Sequence, residues 1–80
     1  MWSEGVIGIP TDKDGEYISI KYWVKHFDEP SKFGIDNGRI SKLMLKIDGK
    51  PAASYDRGWD ICPESYAAEA ALAILLKEFN

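Results

Sequence analysis

Apolar and polar positions alternate strictly along two stretches of the chain, and each stretch predicts a β-strand. In residues 16–27, every second position suits a core, and these positions are Ile18, Ile20, Tyr22, Val24 and His26. The positions between them mix aromatic rings with lysines and are Tyr17, Ser19, Lys21, Trp23, Lys25 and Phe27. Because a buried face would not accept these lysines, the second set is predicted to face solvent.

The same alternation returns in residues 39–48. The predicted core face is Leu43, Leu45 and Ile47, and the opposite face is Ile40, Lys42, Met44 and Lys46. Asp48-Gly49 then predicts a tight hairpin turn to a further strand. A two-residue turn, which we favour, places Tyr55 and Arg57 on the lysine-bearing face. A three-residue turn would instead bury Tyr55 beside Leu43, and both registers stay open.

A shorter apolar run, Val6 to Ile9, is followed by Pro10 and predicts an edge strand. Asp14-Gly15 predicts the turn into the next strand, in a register that sets Ile9 opposite Ile20. Between the second and third strands, residues 28–38 form a connecting loop that is long for a meander.

The last part of the chain predicts one helix that begins at Pro63, because proline suits the first helical position. Its apolar stripe, with three- and four-residue spacing, is Ala68, Ala71, Leu72, Leu75 and Phe79. Other apolar residues lie off this stripe, at Ala70, Ala73, Ile74 and Leu76. They predict either a second contact surface or cover by nearby aromatic side chains.

These elements predict a single α+β domain over residues 1–80. Its fold is a four-stranded antiparallel β-meander with one C-terminal helix packed on one face, in the order β-β-β-β-α. One helix cannot cover both faces of such a sheet, so the other face is expected to be open to solvent.

Composition narrows the class of protein. A hydrophobic content of 45% predicts a folded chain, and one cysteine, Cys62, rules out an internal disulfide and favours a cytoplasmic location. We expect neither a signal peptide nor a membrane span. The net charge is −3, yet eight of the ten Lys and Arg residues fall within residues 17–58.

The open face is the strongest candidate for a binding surface. Its predicted residues are Lys21, Trp23, Lys25, Lys42, Met44, Lys46, Tyr55 and Arg57. A protein partner or self-association is the expected use. Single-stranded nucleic acid, which stacks on aromatic rings between cations, is the alternative, although a pI of about 5.0 weakens it. A sheet face that is merely solvated, with lysine stems covering Trp23, would show the same pattern.

No residue pattern predicts catalysis, a cofactor or a metal site, so a non-enzymatic interaction module is the expected function. Cys62 could be activated only if His26, the one histidine, reached it. Asp56, Asp60 and Glu64 are explained by turn and helix-terminus roles without a metal.

Two blocks of sequence resemble a known group of proteins. They are F-G-I-D-N-G-R-I-S-K-L at Phe33–Leu43 and Y-D-R-G-W-D at Tyr55–Asp60. Together with the Ala/Leu-rich end, they resemble a family of small uncharacterised proteins of Firmicutes and of their phages and mobile elements. The resemblance covers residues 33–80 and implies no activity and no catalytic residue.

Overall fold

The computed structural model describes residues 1–80 as one five-stranded antiparallel sheet, one α-helix and a short 3₁₀ helix at Ile35–Asn37 in the connecting loop. The strands are β1 (Trp2–Pro10), β2 (Tyr17–His26), β3 (Ile40–Ile47), β4 (Lys50–Asp56) and β5 (Trp59–Ile61), and helix α1 spans Tyr66–Phe79. Each strand pairs with the next one along the chain. The α+β class, the antiparallel meander and the C-terminal helix are confirmed, whereas the expected number of four strands is wrong.

The additional strand, β5, follows a tight turn at the point where the sequence indicated the end of the sheet. Arg57 has a positive φ of 61°, and the Asp56 N–H donates to the Gly58 carbonyl at 2.9 Å. The turn reverses the chain, so that β5 pairs with the end of β4. With only three residues, β5 is too short to show an alternating pattern, which is why the sequence did not reveal it.

One face of the sheet forms the core. Helix α1 contacts β1, β2 and β3 on this face, and the connecting loop brings the buried side chain of Ile35 into the same cluster. The buried residues of the core are Ile9, Ile20, Val24, Ile35, Ile40, Leu43, Leu45, Ala53, Tyr55, Ala67, Ala68, Ala71 and Leu75. The predicted core faces of β2 and β3 and the apolar stripe of the helix are therefore confirmed.

The register between β1 and β2 differs from the predicted one by two residues. Ile9 lies opposite Ile18, not Ile20. The connecting turn is longer than the predicted two residues. The ladder of hydrogen bonds already ends at Thr11, whose N–H donates to the Glu16 carbonyl at 3.0 Å. A shift of two residues preserves which side chains share a face, so the facing predictions for both strands still hold.

Two β-bulges reverse facing predictions elsewhere. Lys25 pairs with Lys42 and His26 with Ile40, so Ser41 is an extra residue, and its hydroxyl donates to the Lys25 carbonyl at 3.3 Å. The bulge turns Ile40 into the core, where it is fully buried, although the alternation had placed it with the lysines.

The second bulge lies on β4, at Ala52. The hairpin begins with the predicted two-residue turn, in which Ile47 pairs with Lys50. After Ala52 the register moves by one residue, and Leu43 then pairs with Tyr55. The favoured register is therefore correct at the turn and wrong beyond it.

Helix α1 begins at Tyr66, so the predicted start at Pro63 is wrong. Ser65 is the residue that caps it, because its hydroxyl accepts the Ala68 N–H at 3.1 Å. Ser65 satisfies one of the backbone donors that a helix leaves unpaired in its first turn. Pro63 and Glu64 belong to the approach segment.

The Ser65→Ala substitution is expected to lower the free energy of unfolding by about 1 kcal/mol, the usual loss when a serine cap is removed. Urea denaturation followed by circular dichroism measures the change. Ser19→Ala is the matched control, since Ser19 is exposed on β2 and is expected to change stability by less than about 0.5 kcal/mol. Equal stabilities of the two variants would contradict the cap.

Candidate functional site: the open sheet face

The face of the sheet opposite the helix carries a compact grid of basic and apolar side chains from β2 and β3. The register sets Trp23 beside Met44, with the pair Lys21 and Lys46 on one side of them. The pair Lys25 and Lys42 lies on the other side. Six of the eight residues predicted for this surface are therefore brought together: Lys21, Trp23, Lys25, Lys42, Met44 and Lys46. We call them the lysine grid.

The ammonium groups of the lysine grid lie mainly over aromatic rings. Lys21 Nζ and Lys46 Nζ are 5.1 Å and 5.7 Å from the centre of the Trp23 ring. Lys25 Nζ is 5.9 Å from the ring of Trp2 and 5.5 Å from that of Phe27. Each such contact at an exposed site contributes about 0.5–1 kcal/mol. The rings thus hold the lysine stems down while leaving the charges in water.

Only one lysine of the grid has an acidic partner. Lys42 Nζ lies 3.8 Å from an oxygen of Asp56, and both side chains are about half exposed. An exposed ion pair of this kind contributes little to stability. Directly opposed lysines on neighbouring strands destabilise a sheet, and this face contains two such pairs. The other three lysines, Lys21, Lys25 and Lys46, therefore present positive charge that no acidic side chain pairs with.

Strand β1 adds residues to this face that the sequence analysis missed. Trp2, Glu4 and Val6 pair with Lys25, Trp23 and Lys21, and all three are exposed. Trp2, Trp23, Met44 and Lys46 enclose a shallow depression of about 300 Å³. The alternation of Trp2, Glu4 and Val6 was a usable signal, but the first strand was expected to begin only at Val6.

Tyr55 and Arg57, the other two predicted residues, do not lie on this face. The bulge at Ala52 turns Tyr55 into the core, where its hydroxyl donates to the Phe33 carbonyl at 2.9 Å. The Arg57 guanidinium lies over the Phe33 ring, 5.5 Å from its centre. Both residues therefore hold the connecting loop against the sheet.

The apolar positions outside the main stripe of the helix are divided between core and solvent. Ala70 and Leu76 pack against the core cluster, whereas Ala73 and Ile74 are exposed. Tyr66 is also exposed, at the start of the helix.

The residues considered above for catalysis or metal binding do not come together in the fold. His26 Nε2 is 3.0 Å from the Ser3 hydroxyl, and its ring stacks on Phe79. Cys62 is exposed beyond β5, which β3 and β4 separate from β2 in the sheet. No group of three or more His, Cys, Asp or Glu side chains could hold a metal ion. Neither helix has the length and the apolar character needed to cross a membrane.

Comparison with known proteins assigns a family but no activity. No curated protein and no solved structure is significantly similar to the chain. One family profile matches it, over residues 1–80, and the match thus includes the first two strands as well as the two blocks noted in the sequence. The chain therefore belongs to the family described as "Domain of unknown function (DUF7678)".

Proposed function

We propose that this domain is a non-enzymatic interaction module that binds another protein on its open sheet face. The partner surface carries acidic side chains around at least one exposed apolar side chain. The observation that carries the proposal is the opposition of Lys21 to Lys46 and of Lys25 to Lys42 around Trp23 and Met44. A sheet selected for stability alone would not set like charges opposite each other twice on one face.

The chemistry of the face gives the acidic partner two roles. Its carboxylates would pair with the lysines and relieve their mutual repulsion. Withdrawal of the Lys21 and Lys46 ammonium groups from the Trp23 ring would then uncover the ring for an apolar side chain. The depression between Trp2, Trp23 and Met44 has the position and apolar lining to receive that side chain.

Single-stranded nucleic acid is the second candidate, supported by the two cations around Trp23. Two features favour protein over nucleic acid. Glu4 and Asp56 lie on the same face, and Asp48 borders it beside Lys46, so a continuous backbone of phosphates would meet repulsion as well as attraction. The net charge of −3 opposes the polyanion at long range.

We also propose that the domain works in the cytoplasm, where its exposed cysteine would stay reduced. A bacterial or phage origin, which the resemblance of the two sequence blocks implies, fits an accessory protein of this size.

The Lys21→Glu/Lys46→Glu variant is expected to lose binding to acidic peptides by at least about tenfold, since two close charge pairs of about 1 kcal/mol or more each are reversed. The probe is a peptide that alternates Glu with Leu and Phe, titrated by isothermal calorimetry. The analogue with Gln in place of each Glu is expected to bind weakly, and added salt is expected to weaken binding of the acidic peptide.

The matched control is Lys13→Glu/Lys77→Glu, which makes the same change in net charge at exposed positions in the first loop and on the helix. It is expected to retain binding. If both variants lost the same amount of affinity, the effect would come from net charge alone, and the proposal of a defined binding surface would be refuted. If oligothymidylate binds the domain more tightly than the acidic peptide and is released by Lys21→Glu/Lys46→Glu, the nucleic-acid function replaces the proposed one.

A further inference from the structure

The outer edge of β1 is the one long unpaired strand edge of the molecule. β1 has nine residues and pairs only with β2, whereas the opposite edge strand, β5, has three. Proteins usually protect such an edge with lysines, bulges, prolines or short length. The pairing of β1 with β2 is regular from Trp2 to Pro10, the strand contains no lysine, and its proline is its last residue.

The hydrogen bonds at both ends of β1 show which backbone groups point outward. Met1 and His26 exchange bonds of 3.1 Å and 2.9 Å, and Thr11 donates to Glu16. Hydrogen-bonded and non-hydrogen-bonded pairs alternate along an antiparallel ladder, so the odd-numbered residues bond to β2. The outward N–H and C=O groups therefore belong to Trp2, Glu4, Val6 and Gly8. All four residues are exposed, and none takes part in the turn, loop or side-chain hydrogen bonds of the chain.

We propose that this edge pairs with β1 of a second copy of the chain, antiparallel and with the two-fold axis at Val6. Val6 then lies opposite Val6 of the second copy, Glu4 opposite Gly8, and Trp2 opposite Pro10. Every residue in these pairs has its backbone groups directed outward, so the ladder of hydrogen bonds can form. Pro10 has no N–H, so each Trp2–Pro10 pair makes only the bond from the Trp2 N–H to the Pro10 carbonyl.

The side chains of β1 are self-complementary in this register. The central pair joins two β-branched residues, which is favourable in a sheet, and the Trp2 ring meets the proline ring of the other copy. The acidic Glu4 meets a glycine, whereas an axis at Glu4 would oppose two carboxylates and shorten the overlap. The axis at Val6 is the one that pairs all nine residues of the strand.

The rest of the fold leaves room for this pairing. Helix α1 contacts β1, β2 and β3, so its axis runs over the middle of these strands. The two β2 strands of the pair would be three strand spacings apart, or about 14 Å. Helices in packed contact lie about 8–10 Å apart, so the two helices would not collide. The two lysine grids would share one continuous face. The pairing uses only the edge and stands whether or not that face binds an acidic protein.

Disulfide trapping tests both the pairing and its register. In a Cys62→Ser background, Val6→Cys is expected to cross-link with itself under mild oxidation, because hydrogen-bonded pairs have Cα atoms about 5.5 Å apart. Glu4→Cys alone is expected not to cross-link, because Glu4 lies opposite Gly8 in this register, and Glu4→Cys/Gly8→Cys is expected to cross-link. Ser54→Cys, on the inner strand β4 of the same face, is the control. Cross-linking of Val6→Cys no faster than of Ser54→Cys would overturn the proposal.

Sedimentation equilibrium of the unmodified chain supplies an independent test. A monomer–dimer equilibrium is expected between about 10 µM and 1 mM, since an interface of one strand edge is smaller than a standard one. Val6→Pro removes the outward N–H at the axis, and it is expected to abolish the dimer, whereas Val6→Thr keeps it. Should Val6→Pro fail to fold, Val6→Lys makes the same test by opposing two charges at the axis. A strictly monomeric unmodified chain would refute the edge pairing. A dimer that persists in folded Val6→Pro or in Val6→Lys would refute it as well.

Discussion

Replacing Tyr55 with alanine is expected to lower the free energy of unfolding by about 3–5 kcal/mol, the usual cost of truncating a large aromatic residue in a core. Tyr55 is only 8% exposed and pairs with Leu43. Its ring meets that of Trp59 edge-on, with centres 5.0 Å apart, and its hydroxyl holds the Phe33 carbonyl. The change therefore removes packing, an aromatic contact and a tie to the loop together. Urea denaturation measures the loss.

Two variants separate these contributions. Tyr55→Phe keeps the packing and removes only the hydroxyl, so we expect a loss of about 1 kcal/mol. Ser54→Ala, one position away on the opposite face of β4, is expected to change stability by less than about 0.5 kcal/mol. If Tyr55→Ala proved no less stable than Ser54→Ala, the placement of Tyr55 in the core would be wrong.

The faces of β2 were predictable because its alternation has no interruption over ten residues. A side-chain period of two makes such a prediction insensitive to register errors of two residues, and the error between β1 and β2 was of this size. The same reasoning identified Lys21, Trp23 and Lys25 as solvent-facing without knowledge of their neighbours. The alternation of β2 alone was therefore sufficient to predict the half of the lysine grid that lies on this strand.

Bulges set the limit of this reasoning. An extra residue shifts the period by one and moves every later side chain to the other face. Ser41 is stabilised as an extra residue by its hydrogen bond to the Lys25 carbonyl, a group on another strand. No local feature of the sequence encodes that contact, so Ile40 was assigned to the wrong face. The separate bulge at Ala52 had the same effect on Tyr55. Both errors lie directly beyond a bulge.

The candidate surface depends on pairing that the sequence could not specify in full. The exposure of Trp23 to solvent followed from alternation. The opposition of Lys21 to Lys46 depends on the register between β2 and β3, and the path of the long connecting loop sets that register. The contribution of β1 was missed because the strand was expected to begin only at Val6, after Gly5, which left Trp2 and Glu4 outside it. Gly5 has a packing reason, since an added Cβ would lie 2.8 Å from the Tyr22 hydroxyl. Glycine in a strand here marks close packing, not the end of the element.

The stability of the domain and its proposed binding use opposite faces of the sheet. The core face takes the helix, the loop and all the fully buried side chains. The open face keeps two pairs of directly opposed lysines, whose mutual repulsion lowers stability. Substitutions on the two faces should therefore separate cleanly, with core changes altering unfolding and open-face changes altering binding. The loop connects to both the sheet and the helix, because Tyr55 of β4 and Asn80 at the end of the helix each hold one of its backbone carbonyl groups.

The Asn80→Ala substitution is expected to lower the free energy of unfolding by about 1–3 kcal/mol, because it leaves the Ile40 N–H without a partner. It also removes one of the two hydrogen bonds to the Ile35 carbonyl, which keeps the bond from the Gly38 N–H at 2.9 Å. Asn80 Oδ1 accepts the Ile40 N–H at 2.9 Å, and Nδ2 donates to the Ile35 carbonyl at 3.0 Å. Ile35 and Ile40 are both buried, so water cannot replace the lost bonds without cost. Hydrogen exchange of the Ile40 amide is expected to accelerate along with the loss of stability.

Asn80→Asp sharpens the test because it is nearly isosteric. A carboxylate can still accept from Ile40, but it faces the Ile35 carbonyl with an acceptor where the amide had a donor, so we expect destabilisation close to that of alanine. Lys77→Ala, one turn earlier and exposed, is the control and should change stability by less than about 0.5 kcal/mol. Wild-type stability of Asn80→Asp at neutral pH would mean that the donor is dispensable. The attachment of the loop would then rest on the apolar contacts of Ile35 and on Tyr55, whose hydroxyl binds the same loop two residues earlier.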